Sequence, residues 1–304
     1  MSARPRVEVV LKRSSWRKWV EEENDPHVRR LIAADDETVR RMRPGHREHA
    51  ETVEEVRRAL QTLGATVRWH EHPHTFRVTG ACDLVVTVGG DGTLLAASHG
   101  LGPGVPLLGV NSAPRFSVGF FCAARKGRVR AALEGALAGT LRRTTLTRMR
   151  VARNGEALHE RVLNEALFCH QSPAATSRYI LRLAQGGRTL AREEQKSSGI
   201  WVGPAAGSTA AQRSAGGRVL PLSSRKLQFV VREPYRADGH ALEVARGLVG
   251  EGQVLHLKNK MRHARLFLDG DHIVHEIAIG DVVTMRRSDE PLVVLGLSRG
   301  RQSA

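Results

Sequence analysis

The feature that most constrains the fold is a glycine-rich turn that follows a buried-type strand directly. Residues Leu84–Val88 read LVVTV, a pattern typical of a strand covered on both faces in a parallel sheet. The next residues are Gly89-Gly90-Asp91-Gly92-Thr93, and Thr93–Ser98 suits the start of a helix. A buried strand, a tight turn and a helix form the repeating unit of α/β sheets, so the sequence predicts this fold class.

The GGDGT turn also has the composition of a phosphate-binding loop. Glycines allow positive φ angles and close approach of a phosphate, and successive N–H groups before a helix form an anion nest. Asp91 could accept a proton from an attacking hydroxyl or hold a magnesium ion. Thr93 is the candidate helix N-cap. The alternative to a phosphate-binding loop is a tight strand-to-helix turn in which Asp91 only caps the helix. No GxxxxGK[ST] motif and no GxGxxG at this turn are present, which excludes a Walker-type NTPase and a dehydrogenase fingerprint.

The segments around this turn predict a doubly wound (Rossmann-like) α/β domain over residues 1–140. The further predicted strands are Val7–Leu11, Thr66–Trp69 and Val105–Val110. Apolar residues recur at helical spacing between His46 and Leu63, and Gly64 is the expected helix end. The charged segment 21–45 is expected to be a mobile insertion.

The second half of the chain has an antiparallel β pattern, and residues 141–289 predict an all-β, sandwich-like domain. Alternating segments are separated by turn signals such as Gly186-Gly187 and Asp269-Gly270. The clearest of them are Tyr179–Leu183, Gln228–Val231, Arg265–Leu268 and Val282–Met285. The apolar stretch Leu292–Leu297, within residues 290–300, is expected to return to the first domain as a strand.

The net charge of +16, from 47 basic and 31 acidic residues, admits three interpretations. It would suit a nucleic-acid binder, an electropositive site for nucleotides, or simply an arginine-rich proteome. The basic residues are scattered, and the chain has only seven Phe, four Trp and two Tyr, whereas single-strand binding uses interleaved aromatic residues. We therefore do not expect nucleic acid as a partner.

The cysteines and the hydropathy of the chain indicate which cellular compartment to expect. Cys82, Cys122 and Cys169 form no CxxC pair, so neither a disulfide framework nor a zinc site is expected, and a reducing cytoplasm fits. We see no secretion signal and no apolar run of membrane-spanning length. The run His70-Glu71-His72-Pro73-His74 is interpreted as a solvated loop rather than a metal site.

Two later segments narrow the family. Leu163-Asn164-Glu165 carries an Asn-Glu pair, and Gly207-Ser208-Thr209-Ala210 is followed by Ser214-Ala215-Gly216-Gly217. Together with GGDGT, and in this order between Asp83 and Pro234, these segments resemble the NAD kinase family. GGDGT alone is shared with diacylglycerol kinases, sphingosine kinases and phosphofructokinases.

Departures from the usual bacterial pattern indicate one branch of this family. Lys196-Ser197-Ser198-Gly199 stands where an aspartate usually precedes the glycine, and Ala211 stands where a tyrosine usually follows GSTA. The stretch 111–120, NSAPRFSVGF, replaces the usual NxGxLGF. These features resemble the plant-type NADH kinases and the mitochondrial NAD kinases, which implies that NADH is accepted as well as, or better than, NAD.

The resemblance implies transfer of the ATP γ-phosphate to the 2′-hydroxyl of the adenosine ribose. It makes Asp91 the base and the backbone of Gly89, Gly90, Gly92 and Thr93 the phosphate cradle. The implied NAD(H)-binding residues are Asp91, Gly92, Asn111, Asn164, Glu165, Lys196, Ser198, Ser208, Thr209, Ala210, Ala211 and Ser214.

Several of these residues have alternative interpretations that stay open. Asn164 and Glu165 could form an ordinary polar turn, and the Ser and Thr residues of the GSTA block could cap a helix. Asn111 could contact substrate or only pin the following loop. Arg192 and Lys196 could attract phosphates or be solvated surface charges.

The resemblance also implies ATP as donor, with Mg²⁺ or another divalent cation held largely by its phosphates. It further implies a homodimer or homotetramer, with the site in the cleft between the domains and a partner subunit able to contribute. Two other functions remain as alternatives: a lipid or sugar kinase that shares GGDGT, and a non-catalytic basic nucleic-acid-binding protein.

Overall fold

The computed structural model describes residues 4–235 and 244–297. The chain divides into two compact units. The first holds the residues up to Thr144 together with the strand that begins at Leu292, and the second is Thr145–Pro291.

The first unit is built on a largely parallel sheet. Its strands are β1 (Arg6–Leu11), β2 (Thr66–His70), β3 (Leu84–Gly89), β4 (Pro106–Asn111), β5 (Cys122–Arg125), β6 (Arg143–Leu146) and, from the end of the chain, β19 (Leu292–Leu295). The strand order is β2-β1-β3-β4-β19-β6, and β5 also pairs with β4. The pairings β1–β2, β1–β3, β3–β4, β4–β5 and β4–β19 are parallel. The carboxyl ends of β1, β3 and β4 therefore meet at one edge, where ligands bind in open α/β sheets.

Helices complete this unit. They are a π-helical segment (Arg17–Glu22), α1 (Pro26–Ala33), α2 (Met42–Thr62), α3 (Asp91–Ser98) and α4 (Val129–Leu137). Helix α2 begins four residues before the predicted start, and Val56 and Leu60 from its apolar stripe are fully buried in the core. Gly64 follows it with φ 65°, which ends the helix as predicted.

The prediction of a mobile insertion over residues 21–45 is wrong. The segment includes α1 and the start of α2. The Asp25 carboxylate accepts hydrogen bonds from the backbone N–H groups of His27 and Val28, and Pro26 occupies the first turn. An acidic N-cap followed by proline is a helix-start signal, and the high charge of the segment obscured it.

The second unit consists of two six-stranded antiparallel sheets. Its strands are β7 (Met149–Arg153), β8 (Glu156–Val162), β9 (Ala166–His170), β10 (Ser177–Gln185), β11 (Arg188–Ser197), β12 (Ile200–Gly203), β13 (Leu227–Val231), β14 (Arg246–Val249), β15 (Gln253–Asn259), β16 (Ala264–Leu268), β17 (Ile273–Ile277) and β18 (Val282–Arg287). The sheet orders are β11-β10-β15-β18-β7-β8 and β14-β13-β12-β9-β16-β17. Side chains of both sheets form one buried apolar cluster that includes Phe168, Tyr179 and Phe229. A 3₁₀ segment (Ala205–Thr209) and a short helix α5 (Ala211–Ser214) follow β12.

The predicted fold class, an α/β domain followed by a sandwich-like β domain, is confirmed by this architecture. Within residues 4–235 and 244–297, no helix is both long enough and apolar enough to cross a membrane. The interpretation of residues 70–74 as a solvated loop is wrong at His70, which ends β2 and whose imidazole contacts the buried Glu8 carboxylate of β1. Parallel pairing of β1 with β2 brings these two side chains together, and the local sequence does not reveal that pairing.

Candidate functional site

The GGDGT turn lies at the carboxyl end of β3 and opens α3. Gly90 has an extended backbone and is the N-cap, and the backbone N–H of Leu94 donates to its carbonyl. The prediction of Thr93 as N-cap is therefore wrong, because the helix already begins at Asp91. The Thr93 N–H also donates to the Gly90 carbonyl, at 3.1 Å. The start of a helix carries a partial positive charge, which attracts anions.

Close contacts require two of the three glycines of this turn, Gly89 and Gly90. A Cβ at Gly89 would lie 2.2 Å from Thr93 Oγ1, and one at Gly90 would lie 2.5 Å from Ser117 Oγ. A Cβ at Gly92 would meet nothing within 4 Å. The first two glycines thus let the turn fold tightly, while Gly92 leaves open space above the helix start.

The Asp91 carboxylate is fixed by the loop that follows β4. Its Oδ2 accepts the backbone N–H of Phe120, and its Oδ1 accepts that of Phe121, each at 2.8 Å. Each carboxylate oxygen has about two acceptor sites, so both can accept a further proton or hydrogen bond. The Asp91 carboxylate therefore has a fixed orientation and bonds to the loop after β4, and α3 has no side-chain N-cap.

Asn111 pins the same loop. Its Nδ2 donates to the Ser117 carbonyl at 2.9 Å, and its Oδ1 accepts the Ala113 N–H at 3.2 Å. Gly119 approaches so closely, with φ 62°, that a Cβ there would lie 2.4 Å from Asn111 Nδ2. Of the two roles expected for Asn111, this arrangement favours loop positioning.

In the second unit, the turn Leu163-Asn164-Glu165 between β8 and β9 is held by one carboxylate. Asp269 Oδ2 accepts the Leu163 N–H at 2.7 Å, and its Oδ1 accepts those of Asn164 and Glu165 at 2.7 and 3.0 Å. The side-chain atoms Asn164 Oδ1 and Glu165 Oε2 are buried and have no hydrogen-bond partner within the described residues. Buried polar atoms without partners are costly, so this pair is suited to bind a polar ligand.

Burial also changes the acidity of Glu165. Desolvation, reinforced by the negative charge of Asp269, raises its pKa to about 7. The side chain borders a cleft of about 430 Å³ whose other walls include Leu167, Trp201 and Phe267. A largely apolar cleft with one such carboxyl group is suited to a flat heterocycle that bears hydrogen-bonding groups.

The GSTA segment packs directly on this turn. A Cβ at Gly207 would lie 2.0 Å from the Asn164 carbonyl oxygen, and one at Gly203 would lie 2.1 Å from it. Ser208 is fully buried; its hydroxyl donates to the Ala205 carbonyl at 2.7 Å and accepts the Leu220 N–H at 2.9 Å. Its role here is to close the 3₁₀ segment.

The other predicted residues of this block differ in exposure. Thr209 and Ala211 are half-buried, whereas Ala210 and Ser214 are exposed. Their surfaces remain open to a ligand. Ser208 is thus the one member of the predicted set in this block whose hydroxyl is enclosed.

Ser198 lines a second cleft in this unit. The cleft measures about 470 Å³ and includes Thr176, Ser197 and Tyr235 among its walls. Ser198 is anchored through its N–H to the Arg232 carbonyl at 3.0 Å. Lys196 and Arg192 are exposed residues of β11, and neither borders this cleft.

Sequence reasoning missed Asp269 and the Phe120 and Phe121 amides. Asp269 lies 105 residues from Asn164 along the chain, so no local spacing connects them. One signal is present in the sequence, because Asp269-Gly270 predicts a turn, and in the structure Asp269 has φ 51°. Phe120 is the last residue of the segment 111–120 that departs from the family's usual pattern, and Phe121 follows it directly.

Residues 18–140 match the model of the ATP-NAD kinase N-terminal domain. A probable NADH kinase of Oryza sativa subsp. japonica is 37% identical over 227 residues, which cover 69% of this chain and 70% of that protein. The NADH kinase of Arabidopsis thaliana is 35% identical over 235 residues, covering 72% and 74%.

Solved structures show the same fold. An NAD kinase from Archaeoglobus fulgidus in complex with ATP superposes with a TM-score of 0.66 at 22% identity, covering 98% of this chain and 96% of the other. Yeast NADH kinase complexed with NADH gives a TM-score of 0.65 at 14% identity, covering 98% and 85%. The extent and identity of the sequence matches, with this shared fold, show that the chain belongs to the NAD kinase family.

Proposed function

We propose that this protein phosphorylates the 2′-hydroxyl of the adenosine ribose in NAD and NADH with ATP, giving NADP and NADPH. The observation that carries the proposal is the turn between β3 and α3, where tightly packed glycines, the start of a helix and one oriented carboxylate coincide. Family membership supplies the acceptor, because the related plant proteins carry the name NADH kinase.

The donor is assigned to the GGDGT turn. The N–H groups of Gly89, Gly90, Gly92 and Thr93 are the proposed cradle for the ATP phosphates, where the partial positive charge of the α3 start stabilises anions. Phosphoryl transfer needs little covalent chemistry from the protein, so positioning and charge stabilisation dominate. Asp91 is the proposed base that takes the proton from the attacking hydroxyl.

The acceptor dinucleotide is assigned to the second unit. Asn164 and Glu165 present buried oxygens without partners, and these are suited to bind ribose or base groups. Thr209, Ala210, Ala211 and Ser214 are accessible and are proposed to line the site, whereas Ser208 supports the turn from inside. Lys196 and Ser198 are proposed to contact the remainder of the dinucleotide.

A divalent cation is proposed to arrive with ATP. The described residues contain no group of three or more His, Cys, Asp or Glu side chains placed to hold a metal. Phosphate oxygens would therefore supply most of its ligands, with Asp91 as the acidic side chain nearest the proposed phosphate cradle. When bound, the cation neutralises charge on the transferring phosphoryl group.

A cytoplasmic homodimer or homotetramer is proposed for the intact protein. Cys82, Cys122 and Cys169 are all free thiols, which fits a reducing compartment. The assembly is carried over from the family resemblance.

The decisive experiment compares kcat/KM for NAD and NADH with ATP and Mg²⁺, following NADP and NADPH separately. We expect turnover of both, with NADH at least as good. Assays with polyphosphate in place of ATP test which compound is the phosphoryl donor. A protein that makes neither product, or that prefers a diacylglycerol or a sugar, would contradict the proposal. Duplex binding that falls steeply with salt and ignores dinucleotides would instead indicate a nucleic-acid binder.

A further inference from the structure

Lys12 stands beside the GGDGT turn at the end of the neighbouring strand. It follows β1 directly, and its backbone N–H donates to the Val88 carbonyl at 2.9 Å, continuing the β1–β3 pairing by one residue. A Cβ built on Gly89 would lie 3.0 Å from Lys12 Cβ. The lysine side chain therefore starts in contact with the first residue of the phosphate cradle.

The charge of Lys12 is not neutralised by any acidic side chain of the described residues. Arg13 forms an ion pair with Glu22, and Arg17 forms ion pairs with Glu22 and Glu71. Lys12 has no acidic partner within residues 4–235 and 244–297. Of Lys12, Arg13 and Arg17, which follow β1, only Lys12 has a positive charge that no acidic side chain of the described residues pairs with. Its ammonium group is therefore available for an external anion.

Lys12 is accessible to solvent, yet the surrounding protein desolvates it. Its surface is exposed, and burial lowers the pKa of its ammonium group. Exposure and desolvation occur together when a side chain lies in a recess, where many protein atoms surround it but one side still faces water. A bound polyanion would offset the desolvation of such a cation.

A buried histidine supports the main chain at this edge of the sheet. His49 of α2 shares a 2.9 Å hydrogen bond with Ser112 Oγ, just after β4, and its imidazole lies against the main chain of Lys12. Burial, followed by the positive charge of Lys12, lowers the His49 pKa to about 4. The imidazole is thus neutral at physiological pH, and Lys12 supplies the positive charge here.

We propose that Lys12 is a phosphate-binding residue of this kinase, whose ammonium group contacts phosphate oxygens of the donor held at Gly89–Thr93. His49 acts as a positioning residue that holds the Lys12 main chain. The inference rests on the proposed function, because it takes the occupant of the turn to be the donor nucleotide. Lysine is suited to this role as a compact charge with three donors.

Lys12→Met, which keeps the stem and removes the charge, tests the proposal. We expect kcat/KM for ATP to fall about 10- to 100-fold, the range of a hydrogen bond to a charged group. KM for NADH should change less than about twofold. Lys12→Arg should recover part of the loss, and Lys18→Met, an exposed lysine of the same unit, should behave as wild type. Equal kcat/KM for ATP in Lys12→Met and wild type would overturn the assignment.

Direct ATP binding separates this inference from the proposed function. Calorimetric titration of ATP with Mg²⁺ into wild type and Lys12→Met should show at least a tenfold weaker Kd for the variant. Wild type that binds ATP through Lys12 but makes no NADP or NADPH would refute the function and keep the lysine assignment. If wild type makes NADP or NADPH but Lys12→Met binds ATP as tightly as wild type, the lysine assignment is refuted and the proposed function is kept. If Lys12→Met does not fold, as judged by thermal unfolding, Lys12→Gln takes its place.

The role of His49 is tested by a double-mutant cycle. His49→Gln should raise KM for ATP, and the combined His49→Gln and Lys12→Met variant should be little worse than Lys12→Met alone. Such coupling is expected when one residue acts through another. A lower melting temperature with an unchanged KM for ATP, or fully multiplicative losses, would show that His49 only stabilises the fold.

Discussion

Asp269 Oδ1 accepts the backbone N–H of Asn164 at 2.7 Å, joining two turns that lie 105 residues apart in the chain. The same carboxylate also holds the N–H groups of Leu163 and Glu165. All three donors of the turn are therefore used from one side. The buried side-chain oxygens Asn164 Oδ1 and Glu165 Oε2 have no hydrogen-bond partner within the described residues. In the proposed function, Asp269 therefore positions the dinucleotide-binding turn without contacting the dinucleotide.

Asp269→Asn should loosen this turn. An amide keeps one acceptor oxygen and directs an N–H₂ group at backbone donors, leaving at least one buried N–H unsatisfied. We expect KM for NADH to rise about tenfold and the free energy of unfolding to fall by about 2 kcal/mol. Steady-state kinetics and urea denaturation measure the two effects. Asp289→Asn, which removes an exposed carboxylate paired with Arg286, should change neither, and an unchanged KM in Asp269→Asn would contradict the positioning role.

Asp91→Asn tests the proposed base. The amide cannot take a proton from the ribose hydroxyl, so kcat should fall about 100- to 10,000-fold. It also cannot accept both the Phe120 and Phe121 N–H groups equally well, so we expect a stability loss of about 1 to 2 kcal/mol. The enzyme should remain folded, which circular dichroism and thermal unfolding can verify.

Asn111→Ala separates the loss of the proposed base from the loss of loop stability, which Asp91→Asn combines. It removes two hydrogen bonds from the loop that follows β4 but leaves the Asp91 carboxylate in place. Its stability loss should resemble that of Asp91→Asn, whereas its kcat should fall far less. Equal losses of kcat in both variants would mean that loop order, rather than the carboxylate, limits turnover.

Local patterns predicted the parts of the fold that local physics determines. The apolar run of β3, the glycine turn and the apolar stripe of α2 each reflect the burial of a single element, so strand, turn and helix could be expected from the sequence. Asp25-Pro26 shows where a local signal existed but was outweighed by the charge of its surroundings.

Non-local contacts account for what could not be predicted. The Asp269 carboxylate, the His70–Glu8 pair and the Lys12 side chain gain their roles from strand neighbours that the sequence does not specify. Ser208 illustrates the same limit in reverse. The sequence predicts that its hydroxyl binds a ligand or caps a helix. In the structure, the hydroxyl accepts the Leu220 N–H and so joins the 3₁₀ segment to Leu220.

Ser198→Asp should shift the preference between the two dinucleotides. NAD and NADH differ in the nicotinamide ring, which carries a positive charge only in NAD. The proposed function places part of the dinucleotide against Ser198. A carboxylate there, about 4 Å from the nicotinamide ring, would favour the cationic ring by about 1 kcal/mol in a water-like environment. We therefore expect the ratio of kcat/KM for NAD to that for NADH to rise about fivefold.

The neutral variant Ser198→Asn is the control for size and hydrogen bonding. It should leave this ratio near that of wild type. The shift in Ser198→Asp should also shrink as the salt concentration rises, because screening weakens interactions between solvent-accessible charges. A salt-independent shift, or the same shift in Ser198→Asn, would show that shape rather than charge governs the preference.

Glu165→Gln should remove a pH-dependent loss of stability. The pKa of Glu165 is about 7 in the folded protein, because burial raises it from its ordinary value of 4.5. The folded state therefore binds more protons than the unfolded state between these values, and its stability falls as the pH rises through this window. Above pH 7 the charged, buried carboxylate costs up to about 3 kcal/mol, which the neutral amide avoids.

Urea denaturation of wild type and Glu165→Gln at pH 5, 6, 7 and 8 measures this difference. The variant should gain stability relative to wild type as the pH rises, with most of the gain between pH 5 and 7. Comparing the two proteins at the same pH cancels the contribution of the histidines to the stability. His49 is one of them, and its lowered pKa makes stability rise with pH, opposite to the effect of Glu165. Glu276→Gln, at an exposed carboxylate, should show no such trend. A stability difference that stays constant from pH 5 to 8 would mean that the Glu165 carboxylate is solvated in the folded protein and is not held in a desolvated site.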